Sequence, residues 1–150
     1  MAHVELSLSE LAAPSPERFV AARSSGSLGL WSFTVEVAEE PCILVDHRGI
    51  VVTASPGCAG LLHIDPVTAV GKPLADGVLR LLDFNPVTGE LPGWEADRIP
   101  PLLAMTSGGL ARGLLRVPGP GGPTTVDAIS VPLRDGTIVV GSLTFFAPVG

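Results

Sequence analysis

Side chains with reactive or metal-ligating chemistry are sparse in this 150-residue chain, and several of them fall close together: Cys42, His47, Cys58, His63 and Lys72. Two thiols and an imidazole are good zinc donors, but a zinc site needs a converging tetrahedral set, usually at short regular spacings. Cys42, Cys58 and His63 have no such spacing, so the thiols read as small buried hydrophobes and no metal is expected. His47 lies between Asp46 and Arg48 in a polar turn, where a solvated imidazole outweighs an acid–base or pH-sensing role. Lys72 is followed by Pro73 and lacks the spaced glycine of a phosphate loop, the Gly119–Gly122 run reads as a turn, and neither G-x-S-x-G nor H-E-x-x-H occurs. No nucleophile–base or carboxylate pair emerges, and the chain is read as a non-enzyme.

Composition narrows the class. Apolar residues make up 46% and charged residues 16%, which is the balance of a folded globule; 18 Gly and 15 Pro add many turns. A chain of this length fits one core. The net charge of −6, with Lys72 the single lysine, offers no basic stripe for phosphates, so direct nucleic-acid binding is not expected. Glu5, Glu10 and Glu17 interrupt the region where a secretory leader would lie. The charge-free run Gly136–Gly150 is too short for a membrane helix. A cytoplasmic protein with no membrane segment is expected.

The elements that must position these side chains centre on Pro41–Ser55. Two β-branched runs, Ile43–Val45 and Ile50–Thr53, flank Asp46-His47-Arg48-Gly49, a hairpin in which glycine supplies the positive φ. Both runs are continuously apolar, which predicts a sheet covered on both faces. Before it, Val4, Leu8, Leu11 and Ala12 recur at helical spacing and Ser15-Pro16-Glu17 has the signature of a second helix start, so residues 1–39 are expected to form an N-terminal helical extension. Residues 30–39 fit two patterns: Trp31, Phe33, Val35 and Val37 alternate as in a strand, while Leu30, Phe33 and Val37 share one helix face.

Beyond the hairpin, Ser55–Ile64 predicts a short helix capped by Ser55, with Leu61 and Leu62 inward and Asp65-Pro66 ending it. Val70–Leu74 is a turn; Val78, Leu79, Leu81 and Leu82 form a short amphipathic element; residues 85–93 form a loop. Asp97 is the expected cap of a longer helix that closes at Gly108 or Gly109 and places Ile99, Leu102, Leu103 and Thr106 on one face. Leu110–Val117, Thr124–Leu133 and Thr137–Phe146 read as a three-strand meander. In its last strand Val139, Gly141, Leu143 and Phe145 share one face, and Ile138, Val140, Ser142, Thr144 and Phe146 the other. The class is α+β, with short helices over one face of an antiparallel sheet.

At this level the chain resembles a PAS domain. Ile43-Leu44-Val45-Asp46-His47-Arg48-Gly49-Ile50-Val51 is similar to the family's opening hairpin, and Val70-Gly71-Lys72-Pro73-Leu74 to the turn after its first helices. Val131-Pro132-Leu133-Arg134-Asp135-Gly136, followed by Gly141-Ser142-Leu143, resembles its last two strands. The resemblance spans residues 40–148, with one departure: Ser55 stands where the family often has an asparagine tying the second strand to the next helix. A GAF-like sensor would present the same order of elements.

The resemblance implies a five-stranded sheet in the order 2-1-5-4-3 with a pocket between its inner face and the helices. Leu79, Leu82, Leu103, Met105, Ile129, Val131, Leu143 and Phe145 are the pocket candidates, although a filled core uses the same residue types. Trp94 falls in a loop, where covering a pocket mouth is one role and partial burial without function the commoner one. The haem-binding subclass with a histidine on the longer helix is disfavoured, because no histidine follows His63. Covalent flavin chemistry is likewise unsupported, since Gly71-Lys72-Pro73-Leu74 puts leucine where the reactive cysteine would stand. The implied function is a stand-alone regulatory module in bacterial signal transduction or transcription control. It would act in trans through a homodimer or a separate signalling protein, using the N-terminal helices and the outer sheet face. The alternative is a receptor holding a non-covalent metabolite, flavin or haem.

Overall fold

A computed structural model of the chain describes residues 26–84, 89–90 and 93–149. The helices expected around Val4–Ala12 and after Ser15, and the side chain of Trp94, lie outside the described residues. Strands β1 (Cys42–Asp46), β2 (Val51–Ala54), β3 (Ala111–Val117), β4 (Thr124–Asp135) and β5 (Ile138–Pro148) form one sheet. Its order is β2-β1-β5-β4-β3, and every neighbouring pair is antiparallel.

The opening hairpin forms for local reasons. The Asp46 carboxylate accepts from the N–H groups of Arg48 (2.8 Å) and Ile50 (3.1 Å), and Gly49 takes φ 79°. The register shifts between Leu44 and Val45, a bulge that leaves both Val52 and Thr53 toward the outer face. The open side of β2 is occupied by the turn after the first helices: Val51 N–H donates to the Lys72 carbonyl (2.9 Å) and Gly71 N–H to that of Val51 (2.8 Å).

Apolar side chains on both faces of β1 require two covering layers. On the inner face, Ile43, Val45, Val126, Ala128 and Phe146 pack beneath α2 (Gly57–Leu62), α3 (Pro66–Ala69), a π-helical turn (Leu74–Val78), α4 (Gly93–Ala96) and α5 (Pro100–Ser107). On the outer face, Cys42, Leu44, Leu133 and Leu143 close around Val35 of α1 (Ser27–Val37).

The helix alternative for residues 30–39 is the one realised, but on a different stripe from the expected one. Val35 is 1% exposed, whereas Leu30 is 46% and Val37 78% exposed; Leu28, Ser32 and Val35 face the sheet. The outer face selects that stripe, because a strand here would leave Leu44 and Leu143 without a cover. Asp135 fixes where α1 begins: its carboxylate accepts from Ser27 N–H (3.0 Å) and Oγ (2.8 Å).

Other local expectations are corrected as well. Ser55 does not cap α2, because its hydroxyl is committed to the chain before β1. Asp65-Pro66 starts a helix, since the Asp65 carboxylate accepts from Val67 N–H at 2.9 Å at the head of α3. Helix α5 has Ile99 as its N-cap, with Pro100 and Pro101 in the first turn and Gly108 at φ 73° closing it. Its buried residues are Pro100, Pro101 and Ala104, while Leu103 and Thr106 are exposed. The amphipathic reading of Val78–Leu82 resolves into the end of the π turn followed by extended chain, closed where Leu79 N–H meets the Leu74 carbonyl at 2.8 Å.

Candidate functional site

The surface where a ligand pocket was expected is the inner sheet face beneath α5. Ala128, Ser130, Ser142 and Thr144 make that part of the sheet small-residued, and all four are buried. Small side chains let the helix approach closely, and Ser142 Oγ donates to the Pro101 carbonyl at 2.7 Å. Ser130 and Thr144 satisfy one another through their hydroxyls at 2.6 Å. Among the described residues no buried side-chain nitrogen or oxygen lacks a partner, so these interior polar groups are directed at the protein itself.

The eight pocket candidates divide. Leu79, 2% exposed, and the partly buried Met105 belong to the inner core. Leu82 sits at its margin, bridged to Glu90 and Arg116, and Leu103 points outward at 41% exposure. Ile129, Val131, Leu143 and Phe145 lie on the opposite face of the sheet, which corrects their placement toward the helices. Ile129 pairs with Phe145 and Val131 with Leu143; the second pair packs under α1 and Phe145 is 44% exposed. Strand alternation places Leu143 and Phe145 on one face, but both faces of β5 are apolar, so periodicity could not say which one met the helices. The usable signal was size: Ser130, Ser142 and Thr144 mark the side that a helix backbone approaches.

Two clefts flank the closed interior. One, of about 660 Å³, lies between the π turn, the extended Leu79–Leu81 segment and the Ala96–Asp97 turn. Its charged lining is Asp76, Asp97 and an Arg80–Glu90 ion pair at 3.0 Å. The other, of about 340 Å³, opens at the side of β3 between Leu82, Phe84, Arg98, Ile99 and Leu114.

The polar residues singled out in the sequence hold structural positions. Cys42 and Cys58 are buried free thiols; Cys58 Sγ donates to the Cys42 carbonyl at 3.3 Å and lies 3.6 Å from Ser55 Oγ. Burial pushes both thiols up, against the opposing effect of the Ser55 hydroxyl. Partial burial also pushes the Asp46 carboxyl up, but the Arg48 guanidinium and the Ile50 and Arg48 N–H groups more than offset it and hold the group below the usual carboxylate range. His47 is exposed in the hairpin turn. His63, also exposed, ends α2 in the left-handed region at φ 57°. Among the described residues no three His, Cys, Asp or Glu side chains converge to hold a metal, and no helix is long and apolar enough to cross a membrane.

Surface apolar residues were not anticipated as functional. Leu30, Trp31 (40% exposed) and Val37 lie on the solvent side of α1, and Phe145 and Leu114 (52% exposed) lie on strands. Trp31 was visible as an aromatic outside the resembling motifs, but its exposure follows only from how α1 is rotated.

No family model and no curated protein matches the chain. Solved structures do. A PAS domain from Colwellia psychrerythraea is similar at 17% identity and a TM-score of 0.57, covering 83% of this chain and 98% of that one. The PAS domain of Bordetella pertussis BvgS is similar at 10% identity and a TM-score of 0.54, covering 83% of this chain and 86% of that one. Vibrio cholerae VqmA, described as a dimer and as a LuxR-type receptor, is similar at 14% identity and a TM-score of 0.56 over 83% of this chain. The chain spans about half of that receptor's length, 52%. A further VqmA structure with a TM-score of 0.56 is described as bound to DPO. At these identities the likeness establishes the fold.

Proposed function

On this PAS fold we propose a sensory or regulatory module that works through protein contact, with a second copy of the chain seated on the outer surface of α1. The carrying observation is the apolar solvent side of that helix, where Leu30, Trp31 and Val37 are 46%, 40% and 78% exposed. A helix whose opposite stripe already closes the outer core has no packing use for a tryptophan and two aliphatics in water. The dimer described for the similarly folded VqmA supports the same reading. So does the interior, where α5 rests on small side chains and the buried hydroxyls are paired.

Light scattering on the full chain tests this. The parent is expected to run as a dimer in the micromolar range and Trp31→Glu as a folded monomer. A monomeric parent, or a dimer indifferent to Trp31→Glu and to Leu30→Glu, overturns it.

A second reading, a receptor for a small non-covalent ligand, is favoured by the cleft of about 660 Å³ beside the π turn, with Asp76, Arg80 and Asp97 in its lining. Ligand binding described for VqmA bears on it in the same way. A visible spectrum of flavin or haem, or a metabolite released on denaturation, would favour the receptor. A colourless protein releasing nothing favours the contact module.

A further inference from the structure

The last strand of the sheet, β3, has one neighbour, β4, along its length. Among the described residues its other side receives one backbone hydrogen bond, from Leu82 N–H to the Arg116 carbonyl at 2.8 Å. In an antiparallel strand a residue's N–H and C=O point the same way and neighbours alternate. Arg116 therefore sets the pattern: the backbone groups of Leu114 and Arg112 also point away from β4. Among the described residues nothing takes them up. Beside this edge lies the cleft of about 340 Å³, floored by Leu81, Ile99 and Leu115, with half-exposed Phe84 and Leu114 at its rim. Its charged lining is Arg98 and Arg116 against Glu95; the Arg98 backbone N–H donates to the Glu95 carbonyl at 2.9 Å, while its guanidinium makes no hydrogen bond or ion pair among the described residues. Arg112 adds a third guanidinium on the same strand, held flat by Asp127 at 2.6 Å.

We propose that the free edge of β3 receives an extended acidic segment of a partner protein as an added strand, with one apolar side chain entering the adjoining cleft. Leu82 at Arg116 is the start of such a pairing already made by this chain, and Leu114 and Arg112 supply the next positions along the ladder. Charge selects the partner's chemistry. Two copies pairing β3 to β3 about Leu114 would set Arg112 of each against Arg116 of the other, a like-charge opposition repeated by symmetry. An acidic strand meets the same positions with opposite charge. The exposed aliphatic Leu114 distinguishes this edge from one blunted against pairing, and Arg112 is turned onto Asp127 across the face. The proposal concerns a different surface from the solvent side of α1 and stands or falls separately from the dimer.

The test titrates the full chain with a fluorescein-labelled octapeptide of alternating valine and glutamate, and with its valine–lysine counterpart. Amide exchange is read residue by residue. The acidic peptide is expected to protect the Arg112 and Leu114 amides, and the lysine peptide to bind at least about tenfold more weakly. Leu114→Pro removes an outward N–H that β4 does not use, together with the leucine side chain at the cleft rim, and Arg98→Glu reverses the charge of the unpaired guanidinium; each is expected to weaken the acidic peptide at least about tenfold. Should Leu114→Pro fail to fold, a peptide N-methylated at alternate residues removes the same ladder from the other side. Equal binding of both peptides, protection elsewhere, or no binding of the acidic peptide at millimolar concentration overturns the proposal. So does protection of Arg112 and Leu114 that grows with protein concentration in the absence of peptide, which would assign the edge to a second copy.

Discussion

Ser55 shows how one hydroxyl can replace a helix cap with a tie between chain segments. It is fully buried, accepts from Cys42 N–H at 2.9 Å and donates to the Glu40 carbonyl at 2.6 Å, joining the end of β2 to the approach to β1. Ser55→Ala strands both partners and is expected to cost about 1–3 kcal/mol in urea unfolding. The position was recognisable in the sequence as a departure from the family's asparagine, but its partners were not, because they lie across the hairpin. Asp46 carries a pH signature. Its folded pKa is lowered, so its stabilisation is complete above the unfolded carboxylate value of about 4 and is lost as pH falls through the lower folded value. Between about pH 5 and pH 3, Asp46→Asn is expected to lose less stability than the parent. The remaining acid sensitivity belongs in part to Asp127, lowered by Arg112, and Asp135, lowered by Ser27. Burial raises both thiols, and iodoacetamide at pH 8 is expected to leave the native protein unmodified and to label Cys42 and Cys58 together once it is unfolded.

Helix α1 separates propensity from tertiary selection. Its segment carries a strand-like alternation and a helical stripe at once, and neither the strand nor the Leu30–Phe33–Val37 stripe is what packs. The apolar outer face of β1 and β5 decides, by taking Val35 and Leu28 under cover. Val35→Ala is therefore expected to cost about 2 kcal/mol and Val37→Ala no more than about 0.5, a pairwise comparison by thermal unfolding that tests the helix rotation. Strand β5 makes a related point at Gly141. A Cβ there would stand 2.2 Å from the Val45 carbonyl oxygen and 2.7 Å from Leu28 Cδ2. Gly141→Ala is expected to lose about 1–3 kcal/mol in the same assay. The Gly-Ser-Leu run was legible as a late-strand motif, whereas the need for glycine in it comes from β1 on one side and α1 above.

At the scale of the molecule, two layers close on one sheet, and they differ in what they leave for function. The inner layer brings α5 directly onto Ser130, Ser142 and Thr144. Ala104, on the buried side of α5, is 0% exposed. Ala104→Leu is expected to cost about 1–3 kcal/mol by overpacking; unchanged stability in chemical denaturation would mean that the space beneath α5 holds room for a ligand. Among the described residues the outer layer is a single helix, which leaves the Phe145 and Leu114 end of the face and the β3 edge uncovered by it. The two proposed contact surfaces, on α1 and at β3, therefore lie outside the core.

The amino-acid sequence by itself determined the α+β class, the hairpin at Asp46–Gly49, the order of the three closing strands and the sharing of one face of β5 by Leu143 and Phe145. Each of these follows from turn chemistry or period-two alternation, which act within a few residues. The tertiary structure alone decided which face the helices cover, which stripe of α1 is buried, what Ser55 binds and which strand edge stays free. The reason is the same in each case: the deciding partner is brought from a distant part of the chain, as where β5 is apolar on both sides and only the size of the side chains opposite tells one side from the other.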